Sequence, residues 1–131
     1  MRPLGAYLVI GVGSGLGGWL RYVCDLFGAA LSATSFPWAT IGVNILGSFV
    51  IGLFAALTGP DGRIFIGSLP RQFVMIGICG GYTTFSAFSL QTLDLLHSGR
   101  AAAAGANAAL SLVLCLTAVA GGNAIARRLN A

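Results

Sequence analysis

The sequence predicts an all-α membrane protein with four transmembrane helices in one domain covering residues 1–131. Of its 131 residues, 56% are hydrophobic and 8% are charged, whereas a soluble domain carries about 25% charged residues. A membrane-spanning helix needs about 20 mostly apolar residues, so the chain accommodates four spans joined by short loops. The apolar segments place these spans at about residues 5–25, 39–57, 71–96 and 101–126.

The first span carries a glycine-rich stretch, GVGSGLGG, at residues 11–18. Small residues four positions apart allow close helix packing, which drives helix association in lipid. Because four helices provide few neighbours, small residues on several faces of one helix indicate an oligomer. With only Arg2 as a charged residue ahead of it, and a length beyond a signal-peptide core, the segment is interpreted as a mature span.

Arg21 and Asp25 lie one helical turn apart at the end of this span. One interpretation is an interfacial arginine that reaches toward water and pairs with the carboxylate. The other is an arginine at an aqueous vestibule, where it attracts anions. The spacing leaves both interpretations open.

Asn44 is the only strongly polar residue of the second span. A buried asparagine in a membrane helix often hydrogen-bonds to a neighbouring helix. Its side chain also has two N–H groups that suit an anion in a pore. Both roles remain candidates at this stage.

The third span contains the sequence GICGGYTTFSAFS at residues 77–89. Glycine weakens a helix, and serine and threonine compete for its backbone hydrogen bonds. We therefore expect the helix to break near residues 80–84, starting at the Gly80–Gly81 pair. The carbonyls freed on one side suit a cation, and the N–H groups freed on the other side suit an anion. The hydroxyl donors beside the break are those of Thr83, Thr84, Ser86 and Ser89.

Phe85 and Phe88 are three residues apart, so on a helix they share a face. Phenyl rings have positive edges that can meet an anion, although ordinary apolar packing is the simpler explanation for such a pair. Their alternation with hydroxyl residues favours the anion role. The only histidine, His97, lies at a span end, too far from these serines to act as their base, and the chain is not expected to be an enzyme.

In the fourth span, Asn107, Ser111 and Cys115 follow one another at intervals of four and form one stripe. The stripe is either small-residue packing or a polar track beside a pore. The three cysteines, Cys24, Cys79 and Cys115, lack any metal-binding spacing and are interpreted as small buried hydrophobic residues.

Taken together, these residues resemble the fluoride channel family called Fluc or CrcB over essentially the whole chain. The resemblance rests on the glycine-rich first span ending in Arg21, the VN and GSF sequences at residues 43–44 and 47–49, and GGxTTFSxFS in the third span. It implies a passive fluoride-selective channel that exports fluoride from the cytoplasm and lowers its toxicity. It also implies a multi-pass protein of the plasma (inner) membrane of a prokaryote, assembled as an antiparallel, dual-topology dimer.

The resemblance also implies roles for individual residues. The backbone carbonyls of Gly80 and Thr83 would bind a structural Na⁺ at the dimer interface, and Arg21 would lie in a vestibule. Two departures are Gln91, where the family often has glutamate, and Cys115, where a hydroxyl residue is common. The predicted anion pore comprises Asn44, Thr84, Phe85, Ser86, Phe88, Ser89, Asn107 and Ser111.

The arginines are unevenly divided between the two ends of the predicted bundle. One end has Arg21 and Arg100, and by the positive-inside rule the other, richer end faces the cytoplasm. An antiparallel homodimer needs both orientations, so a heterodimer with an oppositely oriented paralogue is an alternative to a homodimer. The richer end carries Arg2, Arg63, Arg71, Arg127 and Arg128.

Two other functions compete with a fluoride channel. The first is a small coupled exporter of cations or drugs, but such a protein needs a titratable acid at membrane depth. The chain has no glutamate and no aspartate in the middle of a span. The second is a structural membrane subunit, which gives no reason for the dense hydrogen-bond donors around the predicted break.

Overall fold

The computed structural model describes residues 3–31 and 34–131, and within these ranges it contains helices and no strands. The all-α prediction is thereby confirmed. Helix α1 spans Pro3–Leu31, α2 spans Trp38–Leu57 and α6 spans Ala101–Asn130. The third predicted span is divided into α3 (Ser68–Gln72), a π-helical segment (Phe73–Cys79), α4 (Gly80–Tyr82) and α5 (Phe85–His97). Residues 68–82 are here called the first half-helix, and α5 is the second.

Among the described residues, three helical segments are long and apolar enough to cross a membrane. They are Trp38–Leu57, Ser68–His97 and Ala101–Asn130. Helix α1, with 29 residues, is not among these three segments. Its crossing of the membrane stays a prediction.

Helix α1 continues beyond its predicted end near residue 25, through a stretch expected to be a loop. The added turns contain mainly leucine, phenylalanine and alanine, and no proline interrupts them. Arg2, which entered the count of arginines at the two ends, lies outside the described residues.

Glycines bring α1 and the first half-helix into backbone contact. A Cβ atom added at Gly17 would lie 2.3 Å from the carbonyl oxygen of Ile78, and one added at Gly81 would lie 2.4 Å from that of Ser14. Gly13 and Gly77 meet in the same way one turn earlier. Each helix thus contributes two glycines four residues apart, a spacing typical of close helix packing in lipid.

A second pair of helices, α2 and α6, also packs through glycine. A Cβ atom at Gly52 would lie 2.3 Å from the carbonyl oxygen of Val119, and one at Gly122 would lie 2.3 Å from that of Phe49. The described chain therefore consists of two closely packed helix pairs, with α5 lying against α6.

The third span breaks at Thr83 and Thr84, inside the predicted range of residues 80–84 but not at the glycine pair, where the break was expected to start. Thr83 (φ −79°, ψ 157°) and Thr84 (φ −150°, ψ 115°) are extended, whereas Gly80 and Gly81 are helical. Gly81 is needed for close packing and not for the break, because a side chain at this position would collide with Ser14 of α1. The π-helical turns just before the glycines were not predicted.

Contacts at the two ends of the bundle show which loops lie together. The Arg63 guanidinium donates to the carbonyl of Leu129 (2.9 Å) and its backbone N–H donates to Asn130 Oδ1 (3.1 Å). At the opposite end, the Arg100 guanidinium donates to Ser35 Oγ. The loop after α2 therefore lies beside the C-terminus, and the loop after α1 lies beside the turn between α5 and α6.

Candidate functional site

A cleft of about 540 Å³ lies beside the break in the third span. Its walls come from α2, the first half-helix, α5 and α6. Among the described residues, no acidic or basic side chain lines it. The predicted site residues that line it are Asn44, Gly80, Thr83, Thr84, Phe85, Phe88 and Ser111, and Ser86, Ser89, Asn107 and Arg21 do not.

The side-chain amide of Asn44 pairs with the backbone of Thr84. Asn44 Nδ2 donates to the Thr84 carbonyl (3.0 Å), and the Thr84 N–H donates to Asn44 Oδ1 (2.7 Å). The amide thus supplies the acceptor that a continuous helix would have given the Thr84 N–H, and it adds a second donor to the Thr84 carbonyl, which as N-cap also accepts the first bond of α5. One N–H of Asn44 remains for another acceptor, so the bond to a neighbouring helix and the pore role are compatible.

Gly47 gives the break room against α2. A Cβ atom at this position would lie 2.3 Å from Thr83 Cγ2, so any larger residue would displace the extended chain. Gly47 is one turn after Asn44, and together they place the break directly against α2.

Thr84 caps the second half-helix. Its Oγ1 accepts a hydrogen bond from the N–H of Ala87 (3.1 Å) and shares another with Ser86 Oγ (3.2 Å). This is the usual N-cap arrangement of a threonine. The positive N-terminal end of α5 therefore starts at the cleft.

The same bonds leave two carbonyls without their helical donors. In a continuous helix the Thr84 N–H would reach the Gly80 carbonyl and the Ala87 N–H would reach that of Thr83. Both N–H groups are instead used by Asn44 and by the Thr84 cap. The N–H and Oγ1 of Thr83 both donate to the Cys79 carbonyl (3.0 and 2.9 Å), which holds the end of the first half-helix in place.

Phe85 and Phe88 form a tilted ring pair with centroids 5.2 Å apart and an interplanar angle of 49°. Phe88 is half-buried, but Phe85 is 80% exposed in the single chain. The two rings share one wall of the cleft, as their spacing predicted.

A chain of hydrogen bonds runs behind Phe88 from α6 to α5. Asn107 Nδ2 donates to Thr92 Oγ1 (2.8 Å), which donates to the Phe88 carbonyl (2.7 Å). Asn107 is only 1% exposed, so it supports the cleft from behind. Thr92 was missed by the sequence analysis, although a threonine four residues after Phe88 on a helix can donate its hydroxyl to the Phe88 carbonyl.

Ser111, one turn after Asn107, is 8% exposed and lines the cleft. Its hydroxyl has no hydrogen-bond partner within the described part of the chain. Asn107 Oδ1 and Gln91 Oε1 are likewise buried and unpaired there. An unpaired buried polar group is costly, so the Ser111 hydroxyl is a free donor on a residue that lines the cleft.

The other predicted site residues lie elsewhere. Ser89 Oγ donates to the Phe85 carbonyl (2.9 Å), and Ser86 is exposed. Arg21 is half-buried with its Nε unpaired, and no ion pair joins it to Asp25 in the described ranges. The three cysteines are free; Cys79 alone is buried, while Cys24 and Cys115 are half-buried.

Residues 8–123 match the model of the family described as "CrcB-like protein, Camphor Resistance (CrcB)". The "Fluoride-specific ion channel FluC 1" of Rhodopseudomonas palustris is 54% identical over 95% of this chain and 88% of the relative. The "Fluoride-specific ion channel FluC" of Methylocella silvestris is 51% identical over 95% of each chain, and that of Rhodospirillum rubrum is 55% identical over 86% of this chain and 88% of the relative. These matches confirm the resemblance found in the sequence.

The Asn44→Ala substitution is expected to destabilise the protein, because it leaves the N–H of Thr84 unpaired and removes one of the donors to its carbonyl. We expect a loss of about 2 kcal/mol in the free energy of unfolding and faster hydrogen exchange of the Thr84 amide, measured by denaturation in detergent and by mass spectrometry. Ser48→Ala is the matched control, since Ser48 lines the same cleft without bonding to the break. Equal exchange at Thr84 in both variants would contradict the assignment.

Proposed function

The chain belongs to the family of CrcB-like proteins, and from this premise we propose that it is a passive, fluoride-selective ion channel that exports fluoride from the cytoplasm and so lowers its toxicity. Relatives that share 51% to 55% of aligned residues are named fluoride-specific ion channels. The observation that carries the proposal is the break at Thr83–Thr84, which opens on a cleft with hydrogen-bond donors and no charged side chain.

Fluoride entering the cleft would exchange its hydration shell for protein donors. The available donors are the free N–H of Asn44, the hydroxyls of Thr84 and Ser111, and the N-terminal N–H groups of α5. Because no fixed positive charge lines the cleft, an anion would be bound weakly enough to leave again, as conduction requires.

The rings of Phe85 and Phe88 provide the remaining contacts. Their edges carry partial positive charge, so a fluoride ion would meet them edge-on along the cleft wall. Since Phe85 is 80% exposed in the single chain, one subunit leaves this part of the pathway open, and a second subunit is needed to enclose it.

A dimer also explains the second small face of α1. Added Cβ atoms at Gly11 and Gly15 would meet nothing within 4 Å in the single chain, although such faces usually mark close helix contacts in lipid. We propose an antiparallel dimer in the plasma (inner) membrane of a prokaryote, with two fluoride pathways.

A structural Na⁺ at the dimer interface fits the residues on the first half-helix. The carbonyls of Gly80 and Thr83 have lost their helical donors, and Gly80 is exposed. Carbonyl oxygens are suitable ligands for a hard cation. When bound, Na⁺ would supply positive charge that compensates these carbonyl dipoles and ties the two subunits together at the break.

The function can be tested with the purified full-length chain reconstituted in liposomes loaded with fluoride. We expect fluoride release, measured with a fluoride electrode, and no comparable release from chloride-loaded vesicles. A passive channel releases fluoride without ATP and without an imposed proton gradient. Absent fluoride release, or chloride release at an equal rate, would contradict a selective channel formed by this chain alone.

Phe85→Ile and Phe88→Ile are each expected to reduce fluoride flux at least tenfold, since losing one anion contact of about 1.4 kcal/mol changes a rate tenfold. Isoleucine retains apolar packing but has no positive ring edge. Phe27→Ile is the matched control, because Phe27 is exposed at the end of α1, away from the cleft. Dimer formation is followed by size-exclusion chromatography. Unchanged flux in both variants would mean that the rings serve packing only.

The distribution of arginines generates a prediction about the partner. Arg63, Arg71, Arg127 and Arg128 lie at the end that carries the C-terminus, against Arg21 and Arg100 at the other. This bias favours one orientation with the C-terminus in the cytoplasm and hence a heterodimer with an oppositely oriented paralogue. Reporter fusions at the C-terminus should then give signal almost only from the cytoplasmic side. Equal signal from both sides would support the homodimer instead.

A further inference from the structure

A second cavity, of about 620 Å³, lies where the loop after α2 meets the start of the third span. One side carries Arg71 and Thr58, and the other is formed by Ile64, Phe65 and Ile66. Arg71 belongs to the first turns of Ser68–His97, which is long and apolar enough to cross a membrane. The cavity therefore lies at the level where a span meets the lipid headgroups.

The guanidinium of Arg71 is oriented by the protein and only partly used. Its Nε donates to Thr58 Oγ1 (3.2 Å), and this hydroxyl donates to the Phe54 carbonyl (2.7 Å). Within the described ranges, no hydrogen bond or ion pair engages the two terminal nitrogens of Arg71. No carboxylate of the described chain lines the cavity, so these nitrogens can form the forked pair of bonds that suits a phosphate.

The opposite wall is a row of exposed apolar side chains. Phe65 is 90% exposed, and its neighbours Ile64 and Ile66 are also exposed. The loop is nevertheless held in place, because the Ile64 N–H donates to the Leu57 carbonyl (3.0 Å) and Arg63 bonds to the end of α6. Consecutive exposed apolar residues on a fixed loop mark an interaction surface.

We propose that this cavity binds an anionic phospholipid, with its phosphate on Arg71 and its acyl chains against Ile64, Phe65 and Ile66. Charge complementarity favours this occupant, since Arg63, Arg127 and Arg128 lie at the same end of the bundle. The cytoplasmic leaflet, which the positive-inside rule assigns to this end, is also the leaflet with a negative surface potential. A soluble anion would leave the apolar wall uncovered.

The test uses the purified full-length protein in detergent, titrated with phosphatidylglycerol or with phosphatidylcholine and followed by native mass spectrometry. Arg71→Gln is expected to weaken phosphatidylglycerol binding roughly fivefold, the factor that corresponds to about 1 kcal/mol for one arginine at an anionic lipid surface. It should weaken phosphatidylcholine binding less, because the choline cation offsets the charge of that lipid's phosphate. Arg128→Gln is the matched control, because Arg128 is exposed on the same end but does not line the cavity. It should change binding less than twofold, because its guanidinium is not part of the cavity wall.

Phe65→Ser tests the apolar wall and keeps the bond between Arg71 and Thr58. It should weaken the binding of both lipids, so an unchanged affinity for phosphatidylglycerol would overturn the proposal even if Arg71→Gln fails to fold. An equal loss with Arg128→Gln would mean diffuse surface charge instead of a site. Binding of millimolar inorganic phosphate without any binding of phosphatidylglycerol would mean an anion site without a lipid and would overturn the proposal.

Discussion

An unpaired backbone N–H or carbonyl is expensive in a bilayer, and the structure depends on how the broken third span meets this constraint. The side-chain amide of Asn44 pairs with both backbone groups of Thr84, and the Thr84 hydroxyl caps the next helix. The N–H groups used in this way are those that would have reached the carbonyls of Gly80 and Thr83. One arrangement thus stabilises the break and exposes two carbonyls for a cation.

Glycines make this arrangement possible, because they let helix backbones approach where lipid gives no hydrophobic force between helices. Gly47 leaves room for the Thr83 side chain against α2, and Gly81 brings the first half-helix against α1. The break is consequently held between two neighbours. A looser bundle would move Asn44 away from Thr84 and leave the extended residues unpaired.

The site separates charge without using charged side chains. Carbonyls lie at the end of the first half-helix, while hydroxyl and amide donors and the N-terminus of α5 face the cleft. Two arginines lie at one end of the bundle, where Arg63 joins a loop to α6 and Arg71 faces the second cavity. A neutral pathway with charged ends suits an ion that must enter, be desolvated and leave.

By itself, the sequence determined the all-α class, the apolar segments, the family and the interruption of the third span. Composition, hydropathy and short motifs are properties of each segment alone, and they need no knowledge of its neighbours. It did not determine that Thr83 and Thr84 form the break, that Asn44 bonds to Thr84, or that Asn107 lies behind Phe88. Helical periodicity specifies the face on which a residue lies, but not the neighbour that the face meets. A glycine pair can break a helix or admit another backbone, and only the packing against α1 decided between them.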